Sequence, residues 1–164
     1  MTEVKIRPAR KSDLPRIRVF LNTVDKDFYP PLSEREPLDK MSADFLDNRH
    51  RCILMESGAE PEALMGVAVY VKPWKSKSDA FIKILAIHPN LRGQGLGKKL
   101  REDVLEMMRK DGVKEVYATT WSTNSRMIHI NRKMGFKVQN IKKNDRGKGI
   151  HTILFRKVLK KRQG

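Results

Sequence analysis

The sequence has one cysteine, Cys52, in 164 residues. A lone thiol excludes an internal disulfide and a zinc site built from several cysteines. Lying early in an apolar stretch, Cys52 reads as a small buried hydrophobe. Long apolar runs are missing too. The longest nearly unbroken one, Ala63 to Val71, is far short of the ~20 residues a membrane helix needs. The start, Met1-Thr2-Glu3-Val4, lacks the basic-then-apolar pattern of a secretory signal, so a cytoplasmic location is expected. Glycine and proline are few, 10 and 8, and no repeat or low-complexity linker is visible, which excludes fibrous and disordered classes. The length suits one ordinary domain, whose core can bury roughly 70% of the unfolded surface without metal or disulfide. We expect a single domain over residues 3–158 and a basic tail over residues 159–164.

Acidic residues are scarce only in the second half. Residues 1–80 carry 14 Lys+Arg against 13 Asp+Glu, a net of +1; residues 81–164 carry 21 against 6, or +15 of the total +16. Such asymmetry suggests an anionic partner for the second half: nucleic acid, an acidic protein surface or a phosphorylated cofactor. It is equally compatible with a basic surface that only keeps the protein soluble. The same two readings, nucleic-acid contact or solvated strand end, apply to Arg156-Lys157-Val158-Leu159-Lys160-Lys161-Arg162.

Periodicity orders the rest. Glu3 to Arg7 alternates as a half-buried strand would, and Ser12 and Asp13 can cap a helix bearing Leu14, Ile17, Phe20, Leu21 and Val24. Tyr29-Pro30-Pro31 breaks the pattern before a second helix over about 36–47. Strands are expected at Cys52–Met55, Leu64–Val71 and Phe81–Ile87, with a polar loop from Lys72 to Asp79. A helix follows, with Leu96, Leu100, Val104, Met107 and Met108 on one face and Asp111-Gly112 as its stop. Glu115–Thr120 reads as a strand, and Asn124 and Ser125 cap a short helix ending at Gly135. Phe136–Ile141 and Ile150–Val158 close the chain as two strands around a polar turn, 143–149. This is a mixed α/β domain whose strand–helix–strand centre implies a local parallel pair.

The chemistry concentrates at Leu91-Arg92-Gly93-Gln94-Gly95-Leu96-Gly97-Lys98-Lys99. A strand runs into a Gly-rich loop that opens a helix. Glycines let successive N–H groups converge, and a helix N-terminus adds unpaired donors and positive partial charge; together they make a phosphate cradle. Lys98, Lys99 and Arg101 lie in or near the first turn, where the helix dipole disfavours cations and an external anion relieves the conflict. The loop is not a Walker motif, because position 92 is Arg and position 99 is Lys. A dinucleotide fingerprint also fails: Gly93 and Gly95 begin it, but Gly97 comes one residue early and Lys98 takes the third Gly position.

The segment resembles the acetyl-CoA motif of the GNAT superfamily of N-acetyltransferases, Arg/Gln-x-x-Gly-x-Gly/Ala, in Arg92-Gly93-Gln94-Gly95-Leu96-Gly97. Leu85-Ala86-Ile87-His88-Pro89 is similar to the strand that precedes it, and Asn124 through Gly135-Phe136 to a second family element. Ile6-Arg7-Pro8-Ala9 with Asp13 looks like the first strand and helix. The resemblance spans about residues 3 to 158. It implies a GNAT-like fold, a central mixed twisted sheet of about six to seven strands flanked by about four helices, splayed at the central parallel pair between Ile87 and Thr119. It implies acetyl-CoA as co-substrate, with its pyrophosphate on the N–H groups of Gly93 to Lys98 and its pantetheine arm along Leu85, Ala86 and Ile87. Arg92, Gln94, Leu96, Asn124 and Asn131 complete the implied cofactor contacts. The N–H of Ile87 is the implied oxyanion donor, and a primary amine, on a small molecule or a protein, the implied acceptor in a ternary complex.

The match departs from the family at the expected proton donor. Many relatives carry a Tyr eight positions from the Asn, counting both ends; here that position is Asn131, whose amide cannot do acid–base work. Its other reading is a polar residue on the helix surface. Some relatives use a strand Glu as base, but Phe81-Ile82-Lys83-Ile84 has no carboxylate. His88 has a suitable reference pKa, yet its place at a strand exit suits solvent or capping. Glu34, Glu36 and Asp79 are weaker candidates, and no catalytic acid or base is assigned. Trp74 either lines an acceptor site or packs on the core. Tyr29-Pro30-Pro31 is a rigid turn in the region where relatives build acceptor specificity. Trp121 and His129 read as core or helix-face residues. An alternative to the enzyme is a CoA-binding module with little or no catalysis that docks on nucleic acid or ribosome through its basic half. The basic surface favours neutral or acidic acceptors over polyamines, although Asp25, Asp27, Glu34 and Glu36 can make the acceptor region locally acidic.

Overall fold

A computed structural model describes residues 3–58 and 63–160. The alternating start forms strand β1 (Val4–Pro8), and Pro15 in the first turn launches helix α1 (Leu14–Val24), which buries Ile17, Phe20, Leu21 and Val24. The single helix expected near 36–47 is two: α2 (Leu32–Arg35) and α3 (Leu38–Asp44). Pro37 divides them, because a residue before proline is pushed out of the helical region; Glu36 is extended, at φ −163°.

The remaining elements are β2 (His50–Ser57), β3 (Leu64–Val71), β4 (Asp79–Ile87), α4 (Leu96–Lys110), β5 (Glu115–Trp121), α5 (Ser125–Lys133), β6 (Lys137–Lys142) and β7 (Thr152–Val158). They follow the expected order, with seven strands and five α-helices among the described residues. Gly112 (φ +83°) and Gly135 (φ +87°) end α4 and α5 in the left-handed conformation that glycine tolerates best.

The strands form one sheet in the order β1-β2-β3-β4-β5-β7-β6, in which only β4 and β5 run parallel. Helices α1 and α3 cover one face through Ile17, Leu21, Met41 and Phe45, packed on Cys52, Leu54, Val67, Val69 and Ile84. Helix α4 covers the other through Leu100, Val104, Leu105 and Met108, against Met55, Ala68, Ile82, Val116 and Phe155. At one corner Arg7 and Arg16 clamp the buried carboxylates of Asp13 and Glu56, tying β1, α1 and β2 together at 2.8–3.0 Å. No described helix is long and apolar enough to cross a membrane.

The expected basic tail begins inside the fold. Leu159 is buried, its N–H donates to the Lys114 carbonyl at 2.8 Å, and the Lys160 carbonyl accepts from Arg109 Nε. Residues 161–164, the rest of that tail, lie outside the described residues.

Candidate cofactor and acceptor site

The parallel pair is short. β4 and β5 are in register only from Asp79↔Glu115 to Ile82↔Ala118. Beyond it β4 stays on β3 as far as Ile87, and β5 stays on β7 as far as Trp121, so the two strands diverge and leave a gap in the sheet. A register shift in β4 marks the fork: Val69 faces Ile84 and Tyr70 faces Ile82, which leaves Lys83 as the extra residue of a bulge.

That bulge sets which backbone groups face the gap. His88 N–H donates to Met65 O at 2.8 Å, which makes Gly66–Ile87 a non-hydrogen-bonded pair of the antiparallel ladder and, by alternation, Ala68–Leu85 another. The N–H and C=O of Leu85 and Ile87 therefore point away from β3, toward the gap. Gly66 is required here: a Cβ would meet Ile87 Cδ1 at 2.8 Å and the Ala86 carbonyl at 3.1 Å.

At the open end the chain turns through Arg92–Gly95 into α4. Gly93 (φ +82°) and Gly95 (φ +79°) hold left-handed conformations, and a Cβ at either would meet nothing within 4 Å, so the loop presents an open face. The N–H groups of Gly93, Gln94, Gly95, Leu96, Gly97 and Lys98 find no acceptor among the described residues. Six consecutive unpaired donors at the N-terminus of a 15-residue helix make a built anion site. These residues fit the pyrophosphate of a CoA ester. Arg92 serves the loop differently than a free cation would. Its Nε donates to the Ile87 carbonyl at 3.1 Å and its Nη2 pairs with Asp27 at 2.8 Å, strapping the loop to the strand end and to the segment after α1.

Two cations in the first turns of α4 diverge. Lys98 is exposed, with a loose i,i+4 contact to Glu102 at 3.8 Å. Arg101, expected beside it, turns inward and is 3% exposed. Its Nη1 donates to Asn131 Oδ1 on α5, and its guanidinium lies 5.5 Å from the Phe136 ring centroid. It has no carboxylate partner among the described residues, and burial pushes its pKa down to about 10. Asn131 is thus no surface residue: it is 1% exposed, and its main-chain carbonyl also accepts from Phe136.

The other side chain expected to meet a cofactor, Asn124, caps α5: its Oδ1 accepts from Met127 N at 3.3 Å and its Nδ2 donates to Thr120 Oγ1 at 3.0 Å. His88 caps a turn as its place suggested, its Nδ1 accepting from Asn90 N at 3.1 Å. Asp79 stands at the closed end of the parallel pair, far along β4 from Ile87, and its carboxylate accepts from the N–H groups of Trp74, Lys75 and Ser76. Burial pushes its pKa up, but those three donors outweigh it and hold the group below the usual carboxylate range. Trp74 is at that closed end too, stacked on Phe81 at 5.0 Å and against Tyr117 at 4.9 Å, so it packs rather than lining the gap. Glu36 contacts Lys40 at 3.5 Å, Glu34 is exposed on α2, and His129 is exposed on α5.

A cluster that sequence patterns do not announce closes the mouth of the gap. Arg146, in the β6–β7 turn, donates to the Tyr29 carbonyl at 2.7 Å, Thr152 Oγ1 at 2.9 Å and Thr119 Oγ1 at 3.3 Å. Its guanidinium lies 5.7 Å from the Trp121 centroid; Trp121 in turn meets Phe28 at 6.5 Å, and Arg35 lies 5.8 Å over Phe28. Trp121 is therefore a wall of the mouth, not a core residue. These contacts join segments up to 117 positions apart, which no local pattern reports.

A forked parallel pair, a Gly-rich loop at its open end and an aromatic–arginine cluster tied to that loop through Asp27 make up the site, and comparison with known proteins gives its class. A profile described as Acetyltransferase (GNAT) family matches residues 18–136. The ribosomal-protein-S18-alanine N-acetyltransferase of Escherichia coli superposes with a TM-score of 0.79 at 19% identity, over 99% of this chain and 97% of that one. An acetyltransferase of the GNAT family from Streptococcus pneumoniae gives 0.78 at 18% identity over 96% and 100%. The spermidine/spermine N-acetyltransferase of Vibrio cholerae gives 0.73 at 16% over 95% and 92%. At these identities the structural likenesses carry the fold, and the profile carries the membership. The chain belongs to the acetyltransferase (GNAT) family.

Proposed function

We propose that residues 3–158, with Leu159 docked against them, form an acetyl-CoA-dependent N-acetyltransferase acting on a primary amine in a ternary complex. The observation that carries this reading is the run of N–H groups from Gly93 to Lys98, unpaired among the described residues and placed at the open end of the gap between β4 and β5. They hold the pyrophosphate, with Lys98 and Lys99 adding positive charge at the rim. Leu85, Ala86 and Ile87 form one wall of the gap, and the outward N–H and C=O groups of Leu85 take the amide-bearing arm as an added strand would, which leaves the Ile87 N–H for the acetyl end. Asn124 and Asn131 belong to the opposite wall through α5. Asn124 fixes the start of that helix, and Asn131 fixes Arg101.

Bound acetyl-CoA supplies the activated acyl group: the amine nitrogen bonds to the thioester carbon, the C–S bond breaks, and the amine's proton passes to solvent as the thiolate departs. Ile87 N–H is the donor best placed for the carbonyl oxygen. Arg92 keeps that donor in place by holding the Ile87 carbonyl and the loop on one guanidinium. With an amide at position 131, no side chain is assigned as proton donor; a thiol of pKa about 8.5 is a fair leaving group unaided. Most of the acceleration then comes from holding the two reactants together.

Calorimetric titration with acetyl-CoA, then with CoA, tests the reading. Saturable binding of both is expected, with loss of both in Gly95→Glu, which puts bulk and negative charge into the cradle. Normal binding by that variant overturns the cradle; no binding by the unaltered chain at moderate salt overturns the enzyme.

A further inference from the structure

The mouth of the gap is built for an anion. Arg35, Phe28, Trp121 and Arg146 form a continuous ladder of cation, ring, ring and cation, with steps of 5.8, 6.5 and 5.7 Å. Arg35 has no hydrogen bond and no carboxylate partner among the described residues. Arg146 is held by one carbonyl and two threonine hydroxyls, all neutral. Most carboxylates close by in sequence are committed elsewhere: Asp25 to Ser33, Asp27 to Arg92, Glu36 to Lys40 and Asp145 to Thr152 and Lys142; Glu34 is exposed on α2 and makes no ion pair with Arg35. Burial lowers the pKa of both arginines, and Arg35 lowers that of Arg146 further, with the neighbouring Asp145 charge opposing in part. An exposed Arg35 and a partly buried Arg146, at the two ends of an aromatic pair and with no carboxylate ion-paired to either among the described residues, are stabilised by an anion from outside.

The cluster also has a fixed relation to the reaction gap. Ala118 is the last β5 residue in register with β4, and Thr119, the next residue, accepts from Arg146 Nη2. The lip carrying Phe28 and Tyr29 follows Asp27, which is strapped to Arg92 of the loop. The guanidinium groups thus stand at the rim of the gap, on a lip joined to the phosphate loop through Asp27.

We infer that the acceptor is a small amine bearing a carboxylate near its nitrogen, an amino-acid-like compound, whose acid group is drawn to the rim that Arg35 and Arg146 make positive while its amine enters the gap beside Thr119. This rests on the acetyltransferase reading above and names the substrate class of that site. The pair of cations repels polyamines, and the rings of Phe28 and Trp121 pack the carbon skeleton between acid and amine.

The test uses the full chain and matched sets of amines: amino acids of several side-chain types, their carboxamides, the corresponding amines without the carboxyl group, and spermidine. Turnover is followed by CoA release, and binding by calorimetry with and without CoA. The free acid is expected to exceed its carboxamide by about tenfold or more in kcat/KM and in affinity, the scale of one charge-assisted contact. Spermidine is expected to be the poorest acceptor. Arg35→Gln, which removes no hydrogen bond, should reduce the preference for the acid to less than about threefold while leaving acetyl-CoA affinity unchanged. Arg146→Gln should do the same, provided its circular dichroism matches that of the unaltered chain. Equal use of acid and amide, preference for spermidine, a preference that survives both substitutions, or no binding of any free acid overturns the inference. Failure of acetyl-CoA to bind instead strikes the enzyme reading, and calorimetry of acid against amide on the CoA-free chain still decides whether the arginine pair binds anions.

Discussion

Arg101 donates to Asn131 Oδ1 across the α4–α5 contact, and this hydrogen bond joins two side chains that are both almost completely buried. The pair is asymmetric. Asn131 is a neutral amide with one other backbone role, whereas Arg101 is a cation with no carboxylate beside it. Removing the amide leaves the charge buried without its oxygen; removing the charge relieves the burial. Asn131→Ala is therefore expected to cost roughly 1–3 kcal/mol. Arg101→Met, close in volume, removes the buried charge but leaves the Asn131 amide oxygen without its donor, so its net cost should be smaller than that of Asn131→Ala. The double variant should lie near Arg101→Met alone. Urea unfolding of the four chains measures this cycle, and a cost for Asn131→Ala that persists undiminished without Arg101 would refute the coupling.

Gly66 offers a packing test at the gap. Its absent side chain makes room for Ile87 Cδ1, which a Cβ would meet at 2.8 Å, and for the Ala86 carbonyl at 3.1 Å. The Ile87 methyl can swing aside; the carbonyl belongs to the strand and cannot. Gly66→Ala is expected to destabilise the fold by about 1–3 kcal/mol through overpacking. It should also weaken acetyl-CoA binding, because the carbonyl that must give lies between Leu85 and Ile87. Unfolding and calorimetry on the same sample separate the two effects. Unchanged affinity in the destabilised protein would mean that this stretch of β4 does not contact the cofactor.

These two sites differ in how legible they were. The Gly-rich loop announces itself locally: three glycines, an apolar strand before it and a helical stripe after it. The stripe also contained the burial of Arg101, since Leu100, Arg101, Val104, Leu105 and Met108 share one face at 3.6-residue spacing, but a charged side chain reads as solvent-facing until its neighbours are known. The surface reading of Asn131, one of two, fails for the same reason. The split of the expected second helix at Pro37 was readable from the residue before proline. The mouth was not readable. Phe28, Thr119 and Arg146 meet through tertiary contacts alone, and their local sequence says only turn, strand and turn.

Cys52 is expected to be inert in the native protein. It is 6% exposed on β2, and burial, helped by the nearby Asp13 charge, pushes its thiol up to about 12. At pH 8 almost none is thiolate. Alkylation by iodoacetamide should proceed at the rate of global unfolding, and should become fast in denaturant. Rapid labelling of the native chain would place the thiol at the surface instead.

The Arg7–Asp13–Arg16–Glu56 cluster sets the response to acid. Hydrogen bonds from Arg7 hold both carboxyls below their ordinary values, against the opposing effect of burial. A carboxyl whose folded pKa lies below its unfolded one binds fewer protons when folded. Its contribution is complete above the unfolded value, about 4, and disappears as pH falls through the folded one. Stability should therefore be flat from pH 7 to 5 and decline below about pH 4.5, where the unfolded chain takes up protons that the cluster resists. Glu56→Gln isolates one member. At pH 7 it removes the charge facing Arg7 and Arg16 and should cost roughly 2 kcal/mol or more, the scale of breaking a largely buried ion pair. At pH 3 the cost should shrink, because Glu56 of the unfolded chain is by then largely protonated and part of the stabilisation from its folded-state charge is lost. Urea unfolding of both chains at the two pH values decides it: an equal cost at both would show that Glu56 stabilises the corner by shape and hydrogen bonding, with its charge contributing nothing.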